Sequence, residues 1–521
     1  MKKKILCATL ALIAILLVAT SVKAAEVSNW NELKDAIKST DEEIKLKNDI
    51  TESTEASETA ISVVGNKVLD LNGKTLNLSN AYFVVTGNAK LTIDGNGTIL
   101  SNVRKTLDCY TGGTLNIKSG TFKNTHSDSK KSMCGRIIGA WGTEKDTGVI
   151  TTINIEKGVK FVSDYGYGIN VFEDSKAGSY NLTINTAATV KAKQMAITIN
   201  GNVKETTGKV PNINIKEGSY LESDEVAIYG AGYGKWVIEN GTKLIGEEAL
   251  TVKSGEFVIN GGDFKANGNF VSAPVLKGDG AEDTGNAINI ISHPSYAGKI
   301  SVKILSNANV ESKNGYAIYE KKMQGTNLAV ESVEIYAGSY TGKVGAVESE
   351  NLEQFIQAGN FSGELDEKYV VEGTEVAEID GRKYYGLPYE ITIDEESKNI
   401  ISVPKTTAIP GEIVKVTVDE SKIKDGFRFK EIVVTYDGAE KLEFKSATSF
   451  TMPESDVTIK AVLEKVPVGA DVEKETKKEA EKEAEKDNTP KTGALNIALY
   501  ALVALGTVSF IGAVKAKNSK H

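Results

Sequence analysis

Residues 114–122 read TLNIKSGTF, and the same design returns as NINIKEGSY at 212–220, FVINGGDF at 257–264, VEIYAGSY at 333–340 and FIQAGNF at 355–361. Each starts as a short β-prone strand ending on Ile, turns at a Gly three positions later and resumes on an aromatic residue. The triplets are Ile117/Gly120/Phe122, Ile215/Gly218/Tyr220, Ile259/Gly262/Phe264, Ile335/Gly338/Tyr340 and Ile356/Gly359/Phe361. A looser form, which admits Asn or Ala at the turn, occurs at Ile93/Asn96/Ile99, Ile155/Gly158/Phe161, Ile184/Ala187/Val190, Ile238/Gly241/Leu244 and Ile304/Asn307/Val310. The anchoring Ile residues lie 21 to 45 positions apart, so one unit is a coil of two or three strands joined by loops of variable length. A second strand recurs inside many units, as GYGINVF, QMAITIN, EVAIYG, NAINII and GYAIYE.

Alternation such as INI and ITI turns every second side chain inward, and Gly or Asn after each strand suits the positive φ of a tight corner. Stacked units then form parallel strands ~4.8 Å apart around one column of Ile, Val and Phe. The expected fold is all-β: a parallel β-helix, one chain wound into a solenoid. A leucine-rich solenoid would need regular Leu spacing and a helical half-unit, and a propeller would need units of constant length. Asn29 with Glu32 forms a capping-box-like start to a short helix whose Trp30, Leu33 and Ile37 share one face, suited to covering the first coil.

From Leu387 to Glu464 the pattern changes to the strands YEITI, IVKVTV, EIVVTY and VTIKAVLE, which predicts a small β-sandwich or β-grasp-like second domain over 387–465. Residues 471–487, DVEKETKKEAEKEAEKD, have no apolar face and read as a charged, solvated spacer within 466–488.

Lys2, Lys3 and Lys4 precede an apolar run from Ile5 to Val18, and small residues follow at Ala24 and Ala25. This order predicts a signal peptide over 1–24 cleaved between Ala24 and Ala25; the alternative, an uncleaved anchor, needs a longer apolar run. At the other end Thr489, Pro490, Lys491, Thr492 and Gly493 precede a membrane-length apolar stretch, 494–514, and then Lys515, Lys517 and Lys520. Motif, apolar helix and basic tail together resemble a sortase sorting signal, with Thr489 where Leu is usual. The resemblance implies that a sortase attacks the Thr492 carbonyl, releases the chain from Gly493 onward and joins Thr492 to peptidoglycan, so that the membrane holds only the precursor. A plain C-terminal anchor is the alternative.

The stretch from Trp30 to Ile50, with VLDLNGKTLNL and LTIDGNGTI after it, resembles the pectate-lyase-like right-handed β-helix superfamily as it occurs in bacterial surface proteins. AGNFSGELDEKYVVEG, 358–373, is similar to the closing coil of such proteins, so the resemblance spans about 26–386. FTMPESDVTIKAVL, 450–463, resembles the internalin-type β-rich repeats found beside sorting signals. The superfamily includes polysaccharide lyases and hydrolases, which use acidic clusters with Arg, Lys or His. Between the two terminal segments stand only four Arg, at 104, 136, 382 and 428, and two His, at 126 and 293, none in such a motif. No catalytic residue, metal ligand or cofactor is therefore expected.

The composition, 40% hydrophobic and 25% charged with 49 Gly and 9 Pro, is that of a folded chain and excludes collagen and disorder. The formal net charge of −9 falls to −16 without the seven terminal Lys, which argues against a nucleic-acid partner. Cys109 and Cys134, about one coil apart, are placed either to form a disulfide, which an exported location permits, or to remain two buried thiols. If Ile169, Ile228 and Ile318 share an inward position, Tyr229 and Tyr319 point outward, and the loop after Tyr229 adds Tyr233 and Trp236. These four rings are the expected ligand-binding aromatics, against the alternative that they shield sheet and loop backbone. The expected role is a cell-wall-anchored, non-enzymatic adhesin for host or environmental glycans or proteins. Its rivals are a wall-attached polysaccharide lyase or glycoside hydrolase and a structural surface stalk.

Overall fold

The computed structural model describes residues 24–466, apart from 54, 145–146, 174–179, 202–208, 273–283, 297, 324, 327, 380, 437–440 and 445–448. The signal segment before Ala24, the charged spacer and the sorting signal with its apolar stretch lie outside the described residues. Among those described, no helix is long and apolar enough to cross a membrane.

The chain is a parallel β-helix. Each complete coil contributes a strand to sheet I, then to sheet II, then to sheet III; the first coil runs Glu43–Leu46, Ile50–Thr51 and Thr59–Ser62. Among the described residues the sheets hold 12, 14 and 11 strands, parallel throughout except at the end of sheet II. Alternation decides which side chains face inward. In sheet I, Ile93, Ile117 and Ile155 fall in one register column, and in sheet II so do Ile99, Phe122, Phe161, Val190 and Leu221. In sheet III, Ile138, Ile169, Ile197 and Ile228 do the same. All are buried in one continuous core, which can grow lengthwise without thickening. The corner residues Asn96, Gly120, Gly158 and Gly218 all have positive φ, as the repeated Gly/Asn turn predicts.

Two anchors fall elsewhere in register than their spacing predicts. Ile155 pairs with Thr186, not Ile184, and Val190 pairs with Leu221, so Tyr220 points outward. Ile184 still faces inward, one pleat earlier, because the turn after Thr186 is two residues shorter than its neighbours.

Both ends are closed. Helix α1, Trp30–Lys38, buries Trp30, Leu33, Ala36 and Ile37 against the first coil. The Asn29 side chain accepts from the Glu32 amide at 3.1 Å, and Glu32 reaches back to the Ser28 amide at 2.7 Å. Asn29→Ala is expected to lower stability by about 1 kcal/mol, measured by denaturant unfolding, because the Glu32 amide of the first turn loses its acceptor. At the far end Arg382–Gly386 runs antiparallel to Gly359–Phe361 and pairs on its other side with Glu375–Ile379. The Arg382 guanidinium ties this strand down by donating to Thr341 Oγ1 (2.9 Å), Ser339 Oγ (3.1 Å) and the Tyr340 carbonyl (3.3 Å). The hairpin thus covers an edge that would otherwise template further pairing.

Residues 389–465 form a separate core of Ile391, Val414, Ile432, Val434, Phe450, Val457 and Ile459, among others. Tyr389–Ile393 lies parallel to Val457–Lys465, which is antiparallel to Phe427–Tyr436. Alternate burial along Val457–Ala461 shows the period of a half-buried antiparallel strand.

Candidate ligand-binding site

The structure buries all four aromatics expected to meet a ligand. Trp236 sits between Ile213 and Phe257 in sheet I, on the inward parity shared with Ile238, and its ring stacks on Phe257 at 5.1 Å inside the helix. Tyr229 and Tyr319 do share the outward column of sheet III, but the chain folds a second layer over it. Tyr229 is 1% exposed, packed with Tyr167, Met195 and Val226, and its hydroxyl lies 3.0 Å from that of Tyr296. Tyr233 is fully buried against Val210 and donates to Glu256; Tyr319 is 6% exposed beside Tyr316.

This covering layer also buries His293, whose ring lies 5.0 Å from Tyr296, and Lys253, whose ammonium lies over the Tyr229 ring at 5.3 Å. Burial, aided by the Lys253 charge, lowers the His293 pKa to about 4. As pH falls through the ordinary value near 6.5, the unfolded chain takes up this proton while the fold does not. The contribution is complete above pH 6.5 and is lost between 6.5 and 4, about 3 kcal/mol in all. Urea unfolding at pH 7 and 4.5 is expected to show His293→Gln losing less stability on acidification than the parent; equal losses would contradict the assignment.

Cys109 and Cys134 are free thiols. Cys109 faces the core of sheet III, where its register neighbour on the next coil is Ala140. The insertion between sheets II and III delays that strand, leaving Cys134 at the end of a short 3₁₀ turn, with its Sγ 3.5 Å from the Asp128 carbonyl. Burial pushes the Cys109 thiol well above its usual range, away from the reactive thiolate.

Three aromatics that reach the surface together lie one residue beyond the last inward position of three successive sheet III strands. Cys109, Ala140 and Val171 face the core in one register column, so Tyr110, Trp141 and Phe172 stand outward in the next. Each is half-buried. Trp141 stacks on Phe172 at 4.6 Å and 19°, and Tyr110 meets Trp141 edge-on at 5.5 Å. The coil repeat sets this spacing, since strands ~4.8 Å apart bring successive rings into contact.

A charged group supports the ladder. Arg136 crosses Gly139, where a Cβ would stand 2.2 Å from Asp108 Oδ1, and its guanidinium packs on the Phe172 ring at 4.7 Å. Its Nη2 lies 3.8 Å from Asp108 Oδ1, and Lys105 Nζ lies 3.3 Å from Oδ2 and 4.5 Å from the Tyr82 ring centre. Asp108 and Arg136 are each 2% exposed. Burial raises the Asp108 pKa against the pull of Arg136 and Lys105. Among the described residues, Asp108 Oδ1 and Arg136 Nε are buried without a hydrogen-bond partner. Among the described residues no His, Cys, Asp and Glu side chains cluster so as to hold a metal ion. The arrangement offers a partly exposed cluster of mutually packed rings with a cation against Phe172, suited to apolar contact with a sugar ring or a protein side chain.

Sequence reasoning passed over these rings, although Tyr110, Trp141 and Phe172 recur at intervals of 31 residues. No curated protein and no solved structure matches the chain. Residues 24–139, from the capping helix through Asp108 and Arg136, match the family model of a pectate lyase-like adhesive domain.

Proposed function

We propose that this chain is a surface adhesin whose sheet III ladder stacks on glycan rings of a host or environmental surface, or on a flat apolar patch of a protein. The observation that carries this reading is the run of three partly exposed, mutually packed rings Tyr110, Trp141 and Phe172 on a rigid parallel sheet. The adhesive-domain match over 24–139 supports it. The terminal segments fit the same picture: export after a signal peptide, then transfer of Thr492 to peptidoglycan by a sortase, with the charged spacer crossing the wall.

A lyase or hydrolase on the same fold is the rival. Lys105, Asp108 and Arg136 beside the ladder are the observation in its favour. Against it, Asp108 and Arg136 are too deeply buried to reach a sugar as acid or base. The test is to incubate the purified full-length chain with a glycan panel, with and without Ca²⁺, following both bound ligand and new reducing ends. Retention without cleavage supports the adhesin. Sustained release above a heat-inactivated control overturns it.

A further inference from the structure

The coil containing Asn185 turns from sheet I to sheet II more tightly than its neighbours. Register places Ile155, Thr186 and Ile215 in one column and Phe161, Val190 and Leu221 in another. The paired positions are six residues apart in the flanking coils and four in this one. Ala187 and Ala188 make the short turn, so the flanking turns stand proud on either side. Between them lies an open trough of about 550 Å³ whose lining includes Asn154, Asn185 and Ala187, with Lys118, Lys157 and Lys216 also contributing.

The trough brings side-chain amides and ammonium groups together. Asn154 donates its amide to Asn116 (2.9 Å), Asn185 to Asn154 (2.8 Å) and Asn214 to Asn185 (2.9 Å). Each side chain within this outward ladder keeps one N–H and one carbonyl lone pair for a ligand, repeated every ~4.8 Å. Thr114, Thr152 and Thr183 form a parallel column of half-buried hydroxyls two residues earlier. Several lysines elsewhere on the helix meet an acid of a neighbouring coil, as in Lys191–Glu222 (2.7 Å), Lys193–Asp224 (2.5 Å) and Lys303–Glu334 (3.0 Å). Among the described residues, Lys157 and Lys216 form no ion pair, Lys118 is near enough to Asp94 of the preceding coil to help lower its pKa without forming an ion pair, and Glu156 is the one acid lining the trough. Lys157 reaches across the short turn to the coil of Lys216: a Cβ on Gly218 would stand 2.8 Å from Lys157 Cε.

We propose that this trough binds a sulfated polysaccharide laid along the helix axis. The lysines engage sulfate oxygens while the Asn and Thr columns engage sugar hydroxyls. Lys118 and Lys216 are three coils apart, ~14 Å, which exceeds one sugar unit and suits a chain bearing repeated anions. An ammonium is a point charge with rotatable donors and meets a tetrahedral sulfate from any side; a planar carboxylate is matched better by the Arg fork, and no Arg lines the trough. With a net charge of −9 the chain as a whole repels polyanions, so retention depends on a local site. The trough lies on sheet I and the aromatic ladder on sheet III, so the two readings stand or fall separately.

The test is calorimetric titration of the purified full-length chain with a heparin-derived hexasaccharide and with the same hexasaccharide desulfated, which keeps its carboxylates. Binding of the sulfated probe is expected to weaken at least tenfold on desulfation and at least tenfold in Lys157→Gln/Lys216→Gln, while Trp141→Ala leaves it unchanged. Ala187→Gln, which fills the trough and removes no charge, is expected to weaken it as well. Both lysines are exposed, so melting of the double variant should match the parent and exclude misfolding as the cause. Equal binding of the two probes, full affinity in the double lysine variant or no binding of the sulfated probe would each overturn the proposal.

Discussion

Trp236→Ala is expected to destabilise the β-helix by about 3–5 kcal/mol, the largest loss from any single substitution considered for this chain. The side chain is fully buried, packs face to face on Phe257 and fills the interior of one coil. Its strand is hydrogen-bonded on both sides, to Asn212–Ile215 and to Gly255–Ile259. The backbone therefore cannot close over the cavity, and the lost contacts are not replaced. In a solenoid the damage spreads through nearest neighbours, so the middle coils should open at lower denaturant than the capped ends. Urea unfolding followed by Trp fluorescence and circular dichroism measures this; a loss below ~1 kcal/mol would mean that Trp236 lies outside the core.

The second large effect concerns binding. Trp141→Ala with Phe172→Ala is expected to weaken glycan adhesion at least 30-fold, which is about 2 kcal/mol, the scale of an aromatic anchor at an interface centre. The same pair should change stability far less than Trp236→Ala, because both rings are only partly buried. Tyr229→Phe is the control: its hydroxyl meets Tyr296 beneath the covering layer and no ligand can reach it. A binding curve unchanged in the double variant, or lost in Tyr229→Phe, would remove the ladder from the proposed function.

The two variants mark where reading the chain succeeded and where it failed. Trp236 stands two residues before Ile238, so period-2 alternation already assigns it to the core; grouping it with the loop after Tyr229 ignored that parity. Tyr229 was different: its outward direction is correct, and alternation carries no information about a loop folding back over the sheet. Tyr110, Trp141 and Phe172 were legible as an interval of 31 residues, but only registration against Cys109, Ala140 and Val171 shows that the rings meet. The trough was the hardest to see. It depends on a turn two residues shorter than its neighbours, which spacing conceals: Ile184 and Val190 lie six residues apart like Ile155 and Phe161, and only the register shows that Thr186 stands opposite Ile155.

By itself the sequence determined the coil, its inward columns, the capping helix and the change of pattern after residue 386, because these follow from local periodicity and turn chemistry. It did not determine which outward side chains stay exposed, which thiols meet or which lysines go without an acid. Those depend on insertions between strands, which shift register from coil to coil and fold over one sheet while leaving another bare. Neighbours across coils lie some 20 to 45 residues apart, and only the closed tertiary structure sets which of them touch.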